Sequence, residues 1–196
     1  NGSLTLEGVT VAGNTMTTDA GDFWQGGGGI YNGDGASLTL IDSTVSNNFS
    51  GWTGGGIYSF FNTTTTLINS TVSNNVAADV AGGLRTLGDV NITGSTIVGN
   101  VSSTWHGGGL FMTDGTVSIV GSTITGNVAP GGTAGGLMVA TFGAPVSVSV
   151  QDSVVVNNGS YNCQIEGNPA AAVLTSLGGN TFSDGSCNPI ASDTIQ

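Results

Sequence analysis

The sequence contains no lysine, one arginine (Arg85) and one histidine (His106), against 12 carboxylates, for a net charge of −11. With one fixed cation there is no basic patch to neutralise phosphates, which excludes nucleic-acid binding. Adhesion to anionic lipid is excluded for the same reason. Glutamate is as scarce as cysteine, two of each, and a chain short of Glu and Lys makes a poor helical bundle. No run of 18 apolar residues occurs, so no membrane-spanning helix and no membrane insertion are expected. The chain opens in what reads as a strand (Leu4, Leu6) rather than a signal peptide, so a mature or excised segment is expected.

Four small residue types fill the space left: 35 Gly, 26 Thr, 21 Ser and 18 Asn, just over half the chain. Such a mixture can mean disorder, but a hydrophobic content of 38% with only 7% charged residues argues against it. Order along the chain decides the matter. Gly-Gly followed by Ile or Leu ends at Ile30, Ile57, Leu84, Leu110 and Leu137, with spacings of 27, 27, 26 and 27. Thr-(Val/Ile)-x-x-Asn, with Val for Thr in its last copy, ends at Asn14, Asn48, Asn75, Asn100, Asn127 and Asn158. Between these motifs lies an alternating pair such as Leu38/Leu40 or Val90/Ile92, with Thr65 before Leu67 in one copy.

Each repeat therefore carries three short period-2 segments separated by turn residues. Three strands cannot bury a face alone and need neighbours on both sides. A propeller blade takes about 40 residues, so one repeat per turn of a parallel β-helix is the better solution. The expected fold is all-β: a right-handed three-sheet parallel β-helix of about six turns of ~27 residues. At ~4.8 Å between paired strands it forms a rod about 30 Å long. Residues 1–158 form the repeats and 159–196 a C-terminal cap of the same domain. Inward ladders are Ile30/Ile57/Leu84/Leu110/Leu137 and Val11/Val45/Val72/Ile97/Ile124/Val155, with Thr and Ser outward. The Gly-Gly pairs make a tight corner, and the terminal asparagines tolerate left-handed backbone and bond from turn to turn. Insertions fall at 16–25 and 141–145.

Segments such as GGGIYNGDGASLTLIDSTVSNN resemble the right-handed parallel β-helix repeats of bacterial surface proteins. Gly-Gly-(Ile/Leu) is similar to the GGAI-type motif of polymorphic outer membrane proteins. The terminal Asn is similar to the end of their FxxN motif, with Val or Ile in place of Phe. The tail CQIEGNPAAAVLTSLGGNTFSDGSC resembles the ending of β-helix domains in secreted bacterial proteins that carry a cell-surface anchoring segment. The resemblance covers roughly residues 2–187. It implies an extracellular, surface-attached or fibrous protein, often adhesive, and brings no catalytic residues.

Cys163 and Cys187 both follow the last repeat. Either they form a disulfide that closes the cap, as the secreted character suggests, or they are two buried thiols. The N-terminal turn lacks a first strand. Either upstream sequence completes it, or it stacks on the last turn of a second copy, a head-to-tail contact that propagates into a filament.

Catalysis needs clustered chemistry, because parallel β-helices include polysaccharide lyases and hydrolases. Asp42 and Asp152 share a repeat column but stand about four turns apart, with Asn69, Gly94 and Gly121 between them. Asp34, Asp89 and Asp114 fall near one corner. Asp89 and Asp114 sit on adjacent turns and are weak calcium candidates, with turn-forming Asp-Gly as the plainer alternative. Asp19 and Asp22 read as loop residues. Trp24, Trp52 and Trp105, the last beside His106, all precede a Gly-Gly motif. They either form an aromatic strip for a sugar or partner or pack over a corner. Among seven Asn-x-Ser/Thr sequons, Asn62 and Asn69 are the expected exposed acceptors.

The sequence thus leads us to expect a non-catalytic extracellular structural protein, a surface or filament subunit self-associating along its axis, with surface glycans as a further candidate partner. It needs no cofactor. A carbohydrate-binding or carbohydrate-cleaving β-helix is the alternative. Ice binding through the outward Thr10/Thr44/Thr71/Thr96/Thr123 column is a weaker one.

Overall fold

The computed structural model describes residues 2–17, 25–130, 133–142, 144–168 and 170–196. Each repeat winds into one turn of a parallel β-solenoid of about six turns, and every strand pairs in parallel with its equivalent one turn away. A residue one repeat on lands beside its predecessor, so any property repeated in sequence becomes a row along the axis.

The Gly-Gly-(Ile/Leu) segments form a six-stranded first sheet running from Ile30–Asn32 to Tyr161–Glu166. The alternating pairs form a seven-stranded second sheet, from Ser3–Glu7 to Ala172–Ser176. The Thr-Val segments form an eight-stranded third sheet, from Thr10–Ala12 to Thr194–Ile195. A fourth sheet, absent from the sequence expectation, joins Thr15–Met16, Phe49–Ser50, Val76–Ala77 and Val101–Ser102. Its strands hold two residues each, too few to show a hydrophobic period.

The inward ladders lie where the alternation puts them. Ile57, Leu84, Leu110, Leu137, Val45, Val72, Ile97, Ile124 and Val155 are all fully buried, while Ile30 and Val11 at the first turns are partly covered. Thr65 interrupts the apolar row without an orphaned hydroxyl: Asn32 Nδ2 donates to its Oγ1 at 3.1 Å and Ser59 Oγ shares a 2.5 Å bond with it.

Asparagine does more than end the third strand. Asn75 Nδ2 donates to Val45 O at 2.9 Å and to Asn100 Oδ1 at 3.0 Å, and Asn75 N bonds the same oxygen at 3.0 Å. The pattern repeats from Asn14 through Asn48, Asn100 and Asn127 to Asn158. The ladder asparagines do not have left-handed backbone. The residue just before each does: Gly13, Asn47, Asn74, Gly99, Gly126 and Asn157 have φ of 54–69°. The column of Asp42, Asn69, Gly94, Gly121 and Asp152 is left-handed too, with φ of 48–58°. Asp42 and Asp152 are therefore turn formers, a conformation Asp tolerates better than most residues.

A second polar ladder runs beside the first. Ser43, Ser70, Ser95, Ser122 and Ser153 each take a backbone N–H from the preceding turn through Oγ, at 3.0–3.1 Å. The Gly-Gly corner is as tight as expected: a Cβ on Gly55 would stand 2.5 Å from backbone atoms of Val76 and Gly82.

Cys163 occupies the position after Leu137 in the first inward ladder and is bonded to Cys187, with Cα atoms 5.0 Å apart. Phe182 follows Val155 in the third-sheet ladder and is fully buried, with Ile195 of the last strand in register beyond it. A short 3₁₀ turn, Gly185–Cys187, is capped by Asp184 and packs on the last strands. Apolar side chains remain exposed at both ends: Leu4 is about half exposed at one, and Ile190 and Ile195 are about half exposed at the other. Among the described residues no helix is long and apolar enough to cross a membrane.

Candidate functional site

Outside the coil, the second and third sheets present Thr and Ser in rows such as Thr44–Thr71–Thr96–Thr123. The first sheet differs. The residue after each ladder residue points outward, and in register these are Tyr31, Tyr58, Arg85, Phe111, Met138 and Gln164. No serine or threonine stands in this row. Four of its members, Tyr58, Arg85, Phe111 and Met138, are buried although they lie outside the coil, because the corner preceding the sheet folds over them.

That corner carries its own row. Asp79 N donates to Trp52 O at 2.9 Å and Trp105 N donates to Asp79 O at 3.0 Å, so Trp52, Asp79 and Trp105 follow one another along the axis. The insertion around Thr141 brings in Phe142, and the last strand of the first sheet brings in Glu166. Together these groups line a cleft of about 500 Å³ that gathers Trp52, Tyr58, Asp79, Arg85, Trp105, His106, Phe111, Phe142 and Glu166.

Arg85 lies with its guanidinium carbon 4.4 Å from the Phe111 ring centroid. Its Nη1 donates to Thr86 O (2.9 Å) and Phe111 O (3.3 Å), and its Nη2 to Thr113 Oγ1 (2.7 Å). Burial lowers its pKa to about 10, partly offset by Tyr58. Burial likewise raises Tyr58 to about 12 in spite of the nearby guanidinium. Asp79 is raised by burial and pulled back by His106. The His106 ring contacts Trp105 and Phe111, with centroids at 5.5 and 5.9 Å. Its Nε2 stands 3.8 Å from Glu166 Oε2, whose other oxygen accepts from Gln164 Nε2 at 3.0 Å. His106 Nδ1 is buried and has no hydrogen-bond partner among the described residues.

Of the aromatic strip expected from sequence, Trp52 and Trp105 do line one cleft; Trp24 lies outside the described residues, as do Asp19 and Asp22. Asp89 and Asp114 share a separate hollow of about 360 Å³ with Asn62. One Asp89 oxygen there accepts from Thr116 N (2.9 Å) and Oγ1 (2.7 Å) of the next turn, and Asp34 accepts from Asn62 Nδ2 (3.1 Å). These acids staple turns together. No group of three or more metal-binding side chains occurs among the described residues. Asn62 and Asn69 are exposed, whereas Asn48, Asn100 and Asn158 are buried in the ladder.

Sequence reasoning missed Tyr58, Arg85 and Phe111 as a set. Their signal was present: one position after each Gly-Gly-(Ile/Leu), where Thr or Ser would be the ordinary outward choice. Asp79, Glu166 and Phe142 had no such signal, since only the winding of the coil brings them together.

Comparison with protein-family models, with curated proteins and with solved structures finds no match. The likeness to GGAI-type surface repeats accordingly rests on the quoted motifs, and the site must be interpreted from its own chemistry.

Proposed function

We propose that the protein is an extracellular β-solenoid module that binds a saccharide in the cleft on the outer face of its first sheet. The observation that carries this reading is the Trp52–Asp79–Trp105 row standing beside the Tyr58–Arg85–Phe111 row. The exposed indole face of Trp105 suits the apolar face of a sugar ring, with the half-buried Trp52 beside it, and carboxylate and guanidinium groups suit its hydroxyls. Trp105 is 57% exposed, a wide apolar surface to leave in water without a ligand. The Cys163–Cys187 disulfide supports an oxidising, extracellular setting.

The test is a glycan array followed by titration calorimetry on each hit. Trp105→Ala should weaken binding about tenfold or more while leaving the melting temperature nearly unchanged, since Trp105 contributes little to the core. Retained affinity in both Trp52→Ala and Trp105→Ala would remove the cleft from consideration.

Axial self-association into a filament is the second reading. The exposed first turn favours it: Leu4 is 49% and Val9 37% exposed. The C-terminal turn offers exposed apolar side chains too, Ile190 and Ile195, over the covered Phe182 and Cys187. Sedimentation at high concentration separates the two, a purely monomeric species excluding the filament.

A further inference from the structure

We propose, building on the saccharide reading, that the ligand carries a single carboxylate and that Arg85 is the group that recognises it. A buried guanidinium costs several kcal/mol unless a counter-charge or a full set of acceptors compensates it. Arg85 is only 9% exposed, yet no carboxylate of the described residues stands within 4.0 Å of it. Its three hydrogen bonds all go to neutral oxygens. A guanidinium has five N–H donors, so two have no acceptor among the described residues. The chain has 12 carboxylates and one arginine; the fold places that arginine where none of the described acids reaches it and lets it line the cleft.

A carboxylate would fill the open side of the planar fork, for which arginine has the matching geometry.

The remaining charges set the limit of one carboxylate. Asp79 and Glu166 line the cleft, and the whole chain is at −11. A polyuronate or heavily sulfated chain would satisfy Arg85 with one group and set the others against like charges. The same balance gives a salt dependence opposite to that of an ordinary anion site. Salt screens the long-range repulsion over a Debye length of about 8 Å at physiological strength, while the buried contact is screened far less. Binding should therefore hold or strengthen as salt rises.

The experiment uses matched probes: lactose against sialyllactose, xylotriose against the same trisaccharide bearing one glucuronic acid, and trigalacturonic acid as the polyanion. They are placed on an array with other neutral and acidic glycans. In calorimetry the singly carboxylated member of a pair should bind about tenfold or more tighter than its neutral partner. Arg85→Met should erase that preference, and Arg85→Lys should restore only part of it, since an ammonium lacks the fork. Equal binding within each pair, or preference for the polyanion, would overturn the role of Arg85 and leave the saccharide reading standing. No binding by any glycan would remove both. If the Arg85 variants fail to fold, the salt series on the unaltered protein decides, a steep loss of affinity with salt overturning the inference.

Discussion

At the scale of the residue, the polar ladders turn a composition of small polar side chains into structure. Asn100 shows the cost of losing one rung. Its amide donates to Val72 O and Asn127 Oδ1, and its oxygen accepts from both the backbone and the side chain of Asn75. Asn100→Ala leaves a buried carbonyl and a buried N–H unpaired, so urea unfolding should show a loss of about 3 kcal/mol. The asparagine row was legible from its spacing, but its backbone role was not. The left-handed residue is the one before it, where Gly and Asn alternate without a fixed identity. The serine ladder was equally regular in sequence, at Ser43, Ser70, Ser95, Ser122 and Ser153. It went unseen because serine in a chain so rich in hydroxyls reads as surface. Arg85 was hidden differently, since a lone arginine has no period.

Acid acts at this scale too. Burial would raise Asp184, but hydrogen bonds from Ser186 and Asn162 outweigh it and hold the carboxyl below its ordinary value. A lowered pKa in the folded state contributes stability that is present above the ordinary aspartate value of about 4 and lost as pH falls through the folded value. Thermal melts should therefore fall between pH 5 and pH 2, and Asp184→Asn should flatten that part of the profile.

At the scale of the element, the Gly-Gly corner is where the chain tolerates least. A Cβ on Gly55 meets backbone of two turns at 2.5 Å, whereas one on Gly185 meets nothing within 4 Å. Gly55→Ala should cost several kcal/mol or abolish folding, because backbone on both sides would have to move. Gly185→Ala should stay within about 0.5 kcal/mol. Circular dichroism melts of the pair check both. The three long sheets were legible because each has an apolar period and a fixed offset from its neighbours. The fourth sheet was not, since Phe49–Ser50, Val76–Ala77 and Val101–Ser102 are two residues each, too short to show an apolar period.

At the scale of the molecule, the solenoid is fastened most firmly at one end. The disulfide joins the last residue of the first inward ladder, Cys163, to the cap at Cys187. Reduction should lower stability by about 3 kcal/mol through the freed unfolded chain. Because each turn rests only on its neighbours, unfolding should begin locally. Hydrogen exchange after reduction should show residues 161–196 opening first, while 57–124 stay protected. The parallel pairing has another result. On every first-sheet strand the ladder residue faces in and its successor faces out. Selection can therefore rewrite Tyr58, Arg85 or Phe111 one letter at a time without disturbing Ile57, Leu84 or Leu110. The coil behaves as a ruled page: its lines are fixed by the repeat, and its specificity is written between them.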